Sequence, residues 1–353
     1  MLPVAAAAEL LTFTGPPLRL QHSLSRRHSH RLPAHAHLFA AASDEPIGPP
    51  VCIVDTDTSG KQSAREISER CGIPLATADQ SECSFLLEYR SSDGHLTLRR
   101  RGDSVRSALS VDYVGGRLGR RLVGVSRGQG PREMVAKAVT SAKVKAPCVW
   151  DMTAGLGRDA AVLAAAGCTV RMLERHPGLA ALLEDGVQRL HRHTDANTRP
   201  AADSQGIFLD GTPSAALVPG PGFSKRLLGC HCMDSSGLIK PGDLQRDVPS
   251  WMTDERPDVC YLDPMFPPRT KSAEVRKDLR LLQDLLGHSD TDADHEMLFR
   301  TALRLCRWRV VVKRPASGPP LLGVQPSMSV RGRDTINRFD VYLKDEFATW
   351  ADG

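Results

Sequence analysis

Residues 151–159 read Asp-Met-Thr-Ala-Gly-Leu-Gly-Arg-Asp and stand between the apolar run Cys148-Val149-Trp150 and an alanine-rich run at 158–166. A strand that turns through two glycines into a helix leaves backbone N–H groups, and little side-chain bulk, facing whatever binds there. A second apolar run, 169–174, ends on Glu174, 17 residues after Gly157. A carboxylate in that place can accept hydrogen bonds from both hydroxyls of a ribose. This strand–turn–helix–strand unit calls for an α/β chain with a doubly wound, mainly parallel sheet. On the residues alone, the turn suits a dinucleotide or S-adenosylmethionine, and with Ala160 third the pattern G-x-G-x-x-A is tolerated by nicotinamide enzymes. A glycine turn with no ligand is the plain alternative.

The pattern continues through the second half of the chain. It predicts a helix over 177–190, with Pro177 suited to a first turn. Strands are expected at 227–233 and 259–262, helices at 273–286 and 293–304, then a strand at 310–313 and a last one at 339–343 that closes the sheet. Polar residues rich in Pro, Gly and Asp mark an insertion or long loop at about 191–225. Ahead of this lies a small α/β region, 51–110. It has a strand at 51–54, a helix at 63–70 ended by Gly72, and a hairpin pairing 85–89 with 96–98. The 353 residues thus divide into about two structural units, 51–110 and 111–345, behind a leader at 1–42.

Asp263-Pro264-Met265-Phe266-Pro267 follows the strand at 259–262, and ligands in such sheets bind beyond the carboxyl ends of the strands. An acid, a proline and an aromatic suit transfer to a planar exocyclic amine. The lone pair of such an amine is delocalised into its ring, so its nitrogen is a poor nucleophile. The Asp263 carboxylate and the Pro264 carbonyl can each accept one amine hydrogen and favour the attacking geometry. Phe266 can stack on an unpaired base. A proline-rich turn with Phe266 in the core is the competing reading. Asp234-Ser235-Ser236 follows another strand and reads equally as a cofactor contact or a simple turn.

Charge is unevenly spread over a chain with a net +5. Residues 99–132 hold nine arginines, among them Arg99, Arg100, Arg101, Arg117, Arg120 and Arg121, against Asp103 and Asp112, with glycines interleaved. Arginine on a flexible backbone suits a phosphate chain, whereas a solvated basic surface is the alternative. Arg269 and Lys271 add positive charge beside the Asp263 loop. The leader has four arginines and one acid, Glu9, and resembles an organellar transit peptide for a mitochondrion or a plastid. Nine cysteines lack CxxC pairs, and the odd count argues against a secreted disulfide scaffold and for a reducing compartment. No metal site and no membrane-spanning run is expected.

Taken together, the motifs resemble the RsmJ family of small-subunit ribosomal RNA guanine-N2 methyltransferases. The matching stretches begin with Val111-Asp112-Tyr113-Val114-Gly115-Gly116, Val135 to Val139, the Thr153 to Asp159 turn, and Met172-Leu173-Glu174-Arg175. They continue with Ala180 to Gly186, Tyr261 to Pro267, Lys271-Ser272-Ala273, Val310 to Pro315 and Arg338 to Tyr342. The resemblance implies a class I methyltransferase fold, S-adenosyl-L-methionine as cofactor, and N2-methylation of one guanosine in small-subunit ribosomal RNA, or in the assembled subunit. It implies cofactor contacts from Arg158, Asp159, Glu174, Arg175, Ser235, Ser236 and Asp263; the turn motif itself adds Gly155 and Gly157 as cofactor contacts, and the amine chemistry above assigns catalysis to Asp263, Pro264 and Phe266. It implies no metal. The insertion loosens the match at Ser235-Ser236, and bacterial members lack the leader. Other readings are a methyltransferase of DNA adenine or protein glutamine, or a non-catalytic assembly factor. A nicotinamide oxidoreductase leaves the Asp263 loop without a role.

Overall fold

The structure, a computed structural model, describes residues 50–55, 64–76, 82–90, 95–129, 132–198, 219–220, 222–236, 238, 255–264, 277–287, 290–332 and 336–352. The small region holds β1 (Val51–Asp55), α1 (Ala64–Cys71), β2 (Phe85–Arg90) and β3 (His95–Arg100). Its sheet runs β1-β2-β3, with β1 parallel and β3 antiparallel to β2. Alternation of Leu96 and Leu98 with polar neighbours buries one face of β3, as the hairpin reading requires. Cys52 and Cys83 are joined by a disulfide within this region, whereas the cysteine count had suggested no such bond.

Next come α2 (Gly116–Ser126), α3 (Met134–Val139), β4 (Cys148–Asp151), α4 (Arg158–Ala165), β5 (Thr169–Glu174) and α5 (Pro177–Thr198). They are followed by α6 (Phe223–Arg226), β6 (Leu227–Cys232), β7 (Val259–Leu262), α7 (Lys277–Leu286) and α8 (Asp292–Leu305). The chain ends with β8 (Arg309–Pro315), β9 (Met328–Arg331), β10 (Asn337–Leu343) and α9 (Ala348–Asp352). Among the described residues a seven-stranded sheet runs β6-β5-β4-β7-β8-β10-β9, with β10 antiparallel to both neighbours. From β4 the chain moves outward to β5 and β6 on one side, then returns to β7 and β8 on the other. A crevice therefore opens at the carboxyl end of β4, the switch point of the topology.

Three expectations change. The last strand does not close the sheet, because β10 is inserted between β8 and the edge strand β9. Helix α5 continues to Thr198 and α6 precedes β6, so helix occupies both ends of the expected insertion. Residues 199–218 of that insertion lie outside the described residues. The glycine-interleaved basic run is not a flexible tether, since it winds into α2. There Gly119 is required by packing: a Cβ would stand 2.0 Å from the Val114 carbonyl oxygen.

Helix α5 links the two sheets. Residues 178–183 and 185–187 are all buried, which marks a helix enclosed on every side. Asp185 accepts the Leu96 N–H of β3 at 3.3 Å and the Arg189 guanidinium at 2.9 Å. At Gly186 a Cβ would meet Val111 Cγ1 at 2.6 Å. Leu87, Leu96 and Leu98 of the small sheet share one hydrophobic core with Leu179, Leu183 and Met172 of the large one.

Candidate active site

A cleft of about 750 Å³ occupies the switch point, within the range of about 300–1,000 Å³ usual for small-molecule sites. Gly155, Arg158, Asp159, Glu174, Arg175, Ser235, Ser236, Asp263 and Pro264 all line it. These residues come from four separate segments, and the strand ends bring them together.

One half is built around Glu174, the last residue of β5. Its Oε2 accepts the Gly155 N–H and its Oε1 the His176 N–H, each at 2.8 Å. Each oxygen keeps a second lone pair for a hydroxyl. Burial pushes the Glu174 carboxyl above its ordinary range, and the two backbone donors oppose this. Gly155 has φ +55°, and a Cβ there would meet nothing nearer than Thr153 O at 4.0 Å, so the turn leaves a cradle on the cleft side. Gly157 faces the other way. A Cβ on it would lie 2.3 Å from the Tyr113 hydroxyl, so packing behind the turn, not the cleft, demands this glycine.

Ser235 donates to the Met152 carbonyl at 2.8 Å and ties its turn to the end of β4. Ser236 donates from both N–H and hydroxyl to Asp234 Oδ1, so the tripeptide is a turn, and that turn lines the cleft. Arg175 is ion-paired with Asp290.

The other half centres on Asp263, directly after β7. Its N–H donates to Thr153 Oγ1 at 2.6 Å. Lys313 Nζ donates to Asp263 Oδ2 and to Asp159 Oδ2, each at 2.8 Å, and the Tyr261 hydroxyl donates to the same Asp159 oxygen at 2.7 Å. Among the described residues Asp263 Oδ1 has no hydrogen-bond partner, and 38% of the Asp263 side chain faces the open cleft. Burial raises the Asp263 carboxyl above its ordinary value, Lys313 opposes this, and Asp159 adds to it. For Asp159 burial also acts upward, but Lys313, Tyr261 and Arg121 outweigh it and hold the carboxyl below its ordinary value. Asp151 lies between the two halves, with its carboxyl pushed well up by burial and by Asp159.

Sequence reasoning missed Lys313, Tyr261, Thr153 and Asp151. The signal for Lys313 is one of register: Leu262 pairs with Val312 across parallel strands, which brings the next residues, Asp263 and Lys313, side by side.

The arginines divide. Arg99 forks onto Glu88 at 2.9 and 2.6 Å, and its side chain is only 14% exposed. Arg100 pairs with Asp284, and Arg101 donates to the Cys83 carbonyl. Arg121 lines the cleft and forks onto Glu133. Arg117 and Arg120 are exposed on α2. Phe266, Arg269 and Lys271 lie outside the described residues. Among the described residues no group of His, Cys, Asp and Glu could hold a metal ion, and no helix is long and apolar enough to cross a membrane.

A carboxylate with acceptor capacity to spare beside an open glycine cradle fits S-adenosylmethionine, and comparison with known proteins agrees. The SAM-dependent methyltransferase family matches residues 67–205 and 244–344. A crystal structure of a SAM-dependent methyltransferase from Neisseria gonorrhoeae superposes with a TM-score of 0.54 at 29% identity, covering 83% of this chain and 95% of that one. The ribosomal RNA small subunit methyltransferase J of Shewanella amazonensis is 41% identical over 271 residues, 76% of this chain and 90% of that protein. That of Pseudomonas paraeruginosa is 38% identical over 283 residues, 80% of this chain and 90% of its own. With identity at this level over three quarters or more of the chain, and with the glycine turn, Glu174 and Asp263 gathered in one cleft, the chain belongs to the ribosomal RNA small subunit methyltransferase J family.

Proposed function

We propose that the protein methylates the exocyclic N2 amine of one guanosine in small-subunit ribosomal RNA. The observation that carries this reading is Asp263: a carboxylate at a strand end, with one oxygen held by Lys313, lining the cleft that Glu174 also lines. When bound, S-adenosylmethionine supplies a methyl group already activated on a sulfonium sulfur. Glu174 and the Gly155 turn would hold its ribose, while Arg175, Ser235 and Ser236 line the same half of the cleft.

The chain's remaining work is positioning. Asp263 Oδ1 and the Pro264 carbonyl accept the two amine hydrogens, and the negative carboxylate stabilises the positive charge that grows on nitrogen as its lone pair forms the new bond. Phe266 stacks the base. Arg117 and Arg120 meet RNA phosphates, as do Arg269 and Lys271 beside the loop. The leader, rich in arginine and poor in acid, directs the protein to an organelle whose ribosome is of bacterial type, in keeping with bacterial relatives.

Mass spectrometry of organellar small-subunit RNA from cells lacking the protein tests substrate and compartment together. Loss of one N2-methylguanosine is expected. An unchanged set of modified nucleosides there, with methyl groups lost instead from DNA adenine or protein glutamine, overturns the reading.

A further inference from the structure

Asp151, Asp159 and Asp263 converge on the substrate half of the cleft, from the end of β4, the first turn of α4 and the residue after β7. Three carboxylates this close cannot all stay ionised without a cation, because like charges in a shaded site raise one another's pKa. Lys313 is the cation that touches two of them, at 2.8 Å each. Its own pKa shows the balance: burial acts to lower it, yet Asp263 and Asp159 outweigh burial and leave it raised. The Tyr261 hydroxyl fixes Asp159 from below and so fixes the far anchor of the same ammonium.

We propose that Lys313 is a positioning residue for methyl transfer, gripping Asp159 and Asp263 with one ammonium so that Asp263 stays ionised and presents Oδ1 to the substrate amine. This rests on the amine-binding role of Asp263 proposed above. An ionised carboxylate only accepts hydrogen bonds, whereas a protonated one places an O–H where the amine must donate. The parallel register of β7 and β8 sets the separation of the pair. The groups facing Asp263 are Lys313 from β8, Asp159 from α4, Asp151 from β4 and Tyr261 from β7, with Arg121 of α2 acting on Asp159. Of these, Lys313 is the one that pulls the Asp263 carboxyl down, so its removal moves that group upward.

The test compares Lys313→Met with the charge-keeping Lys313→Arg on small-subunit RNA, with S-adenosylmethionine saturating for kcat and varied for its KM. In Lys313→Met, kcat falls by about 10²-fold, the size typical of losing one preorganised electrostatic contact. The KM for S-adenosylmethionine stays near that of the wild type, and the acid limb of the kcat profile moves to higher pH. Lys313→Arg restores much of kcat and the original acid limb. A raised KM with kcat and acid limb unchanged overturns the inference.

A second measurement needs no RNA. Titration of Asp263 by carbon-13 NMR, assigned with Asp263→Asn, should show its midpoint rise in Lys313→Met, and an unmoved midpoint overturns the inference whatever the substrate. A raised midpoint in a protein whose wild type forms no N2-methylguanosine upholds Lys313 and sinks the guanosine reading. Where Lys313→Met does not fold, Lys313→Gln, which keeps a donor without the charge, takes the same two readouts.

Discussion

Two carboxylate–cation clusters sit on β8 and β10, a few residues apart along the same strand pair. In the first, Asp340 is fully buried. Its Oδ1 accepts Arg338 Nε at 2.8 Å and Ser329 Oγ at 2.6 Å, and its Oδ2 accepts Arg338 Nη2 at 3.0 Å. Arg338 Nη1 then reaches the carbonyls of Pro315, Ala316 and Gly318. In the second, Lys313 holds one oxygen each of Asp159 and Asp263, in the cleft that both carboxylates line. Both clusters use the same chemistry, but the first is saturated by protein and ties β8, β9 and β10 together. The second leaves Asp263 Oδ1 without a hydrogen-bond partner among the described residues. A saturated charge holds structure, and an unsaturated one in a cleft can do chemistry.

The comparison can be broken at either cluster. Asp340→Ala leaves a buried guanidinium unpaired and should destabilise the fold by about 3–5 kcal/mol in urea unfolding. At a temperature where the variant remains folded, its kcat should match the wild type; a stability loss near zero would deny that the cluster is structural. Asp263→Ala should do the reverse. Methyl transfer should fall by about 10²–10³-fold, with unfolding free energy little changed. Retained transfer there would sink the amine-positioning role.

The smallest effect sharpens the same distinction on the surface. Arg117→Gln should lower the salt slope of RNA binding by about one, while Arg99→Gln, which removes an arginine already forked onto Glu88, should leave the slope alone. Equal slope changes in the two variants would show that saturation does not sort these arginines.

Much of the cofactor half was legible in the sequence, because it is local. The strand, the glycine turn and the carboxylate ending the next strand fall within 27 residues, 148–174, and each has a compositional signal. Asp263 was legible for the same reason, through its proline-rich loop. Lys313 was not, because it reads as the polar end of an apolar run, and only strand register brings it beside Asp263, 50 residues away in sequence. β9 was missed because Met328-Ser329-Val330-Arg331 is a largely exposed edge strand of only four residues, too short for its alternation to stand out. α2 was missed because glycines lower helix propensity, although Gly119 is what lets the helix approach Val114. The end of α5 was taken for loop because His191-Arg192-His193-Thr194 is polar, as suits the exposed end of a helix whose earlier turns are enclosed.

That enclosure of α5 bears on descent as well as stability. A shuffled copy of the large sheet beginning at Val111 would carry one flank of α5, leucine-rich and shaped to the small sheet, bare to water. A lineage that trimmed residues 51–110 would first have to rewrite that flank, and one that recruited the small sheet elsewhere would have to supply a matching helix. The two sheets are therefore a single heritable unit, and relatives of this chain should gain or lose them together.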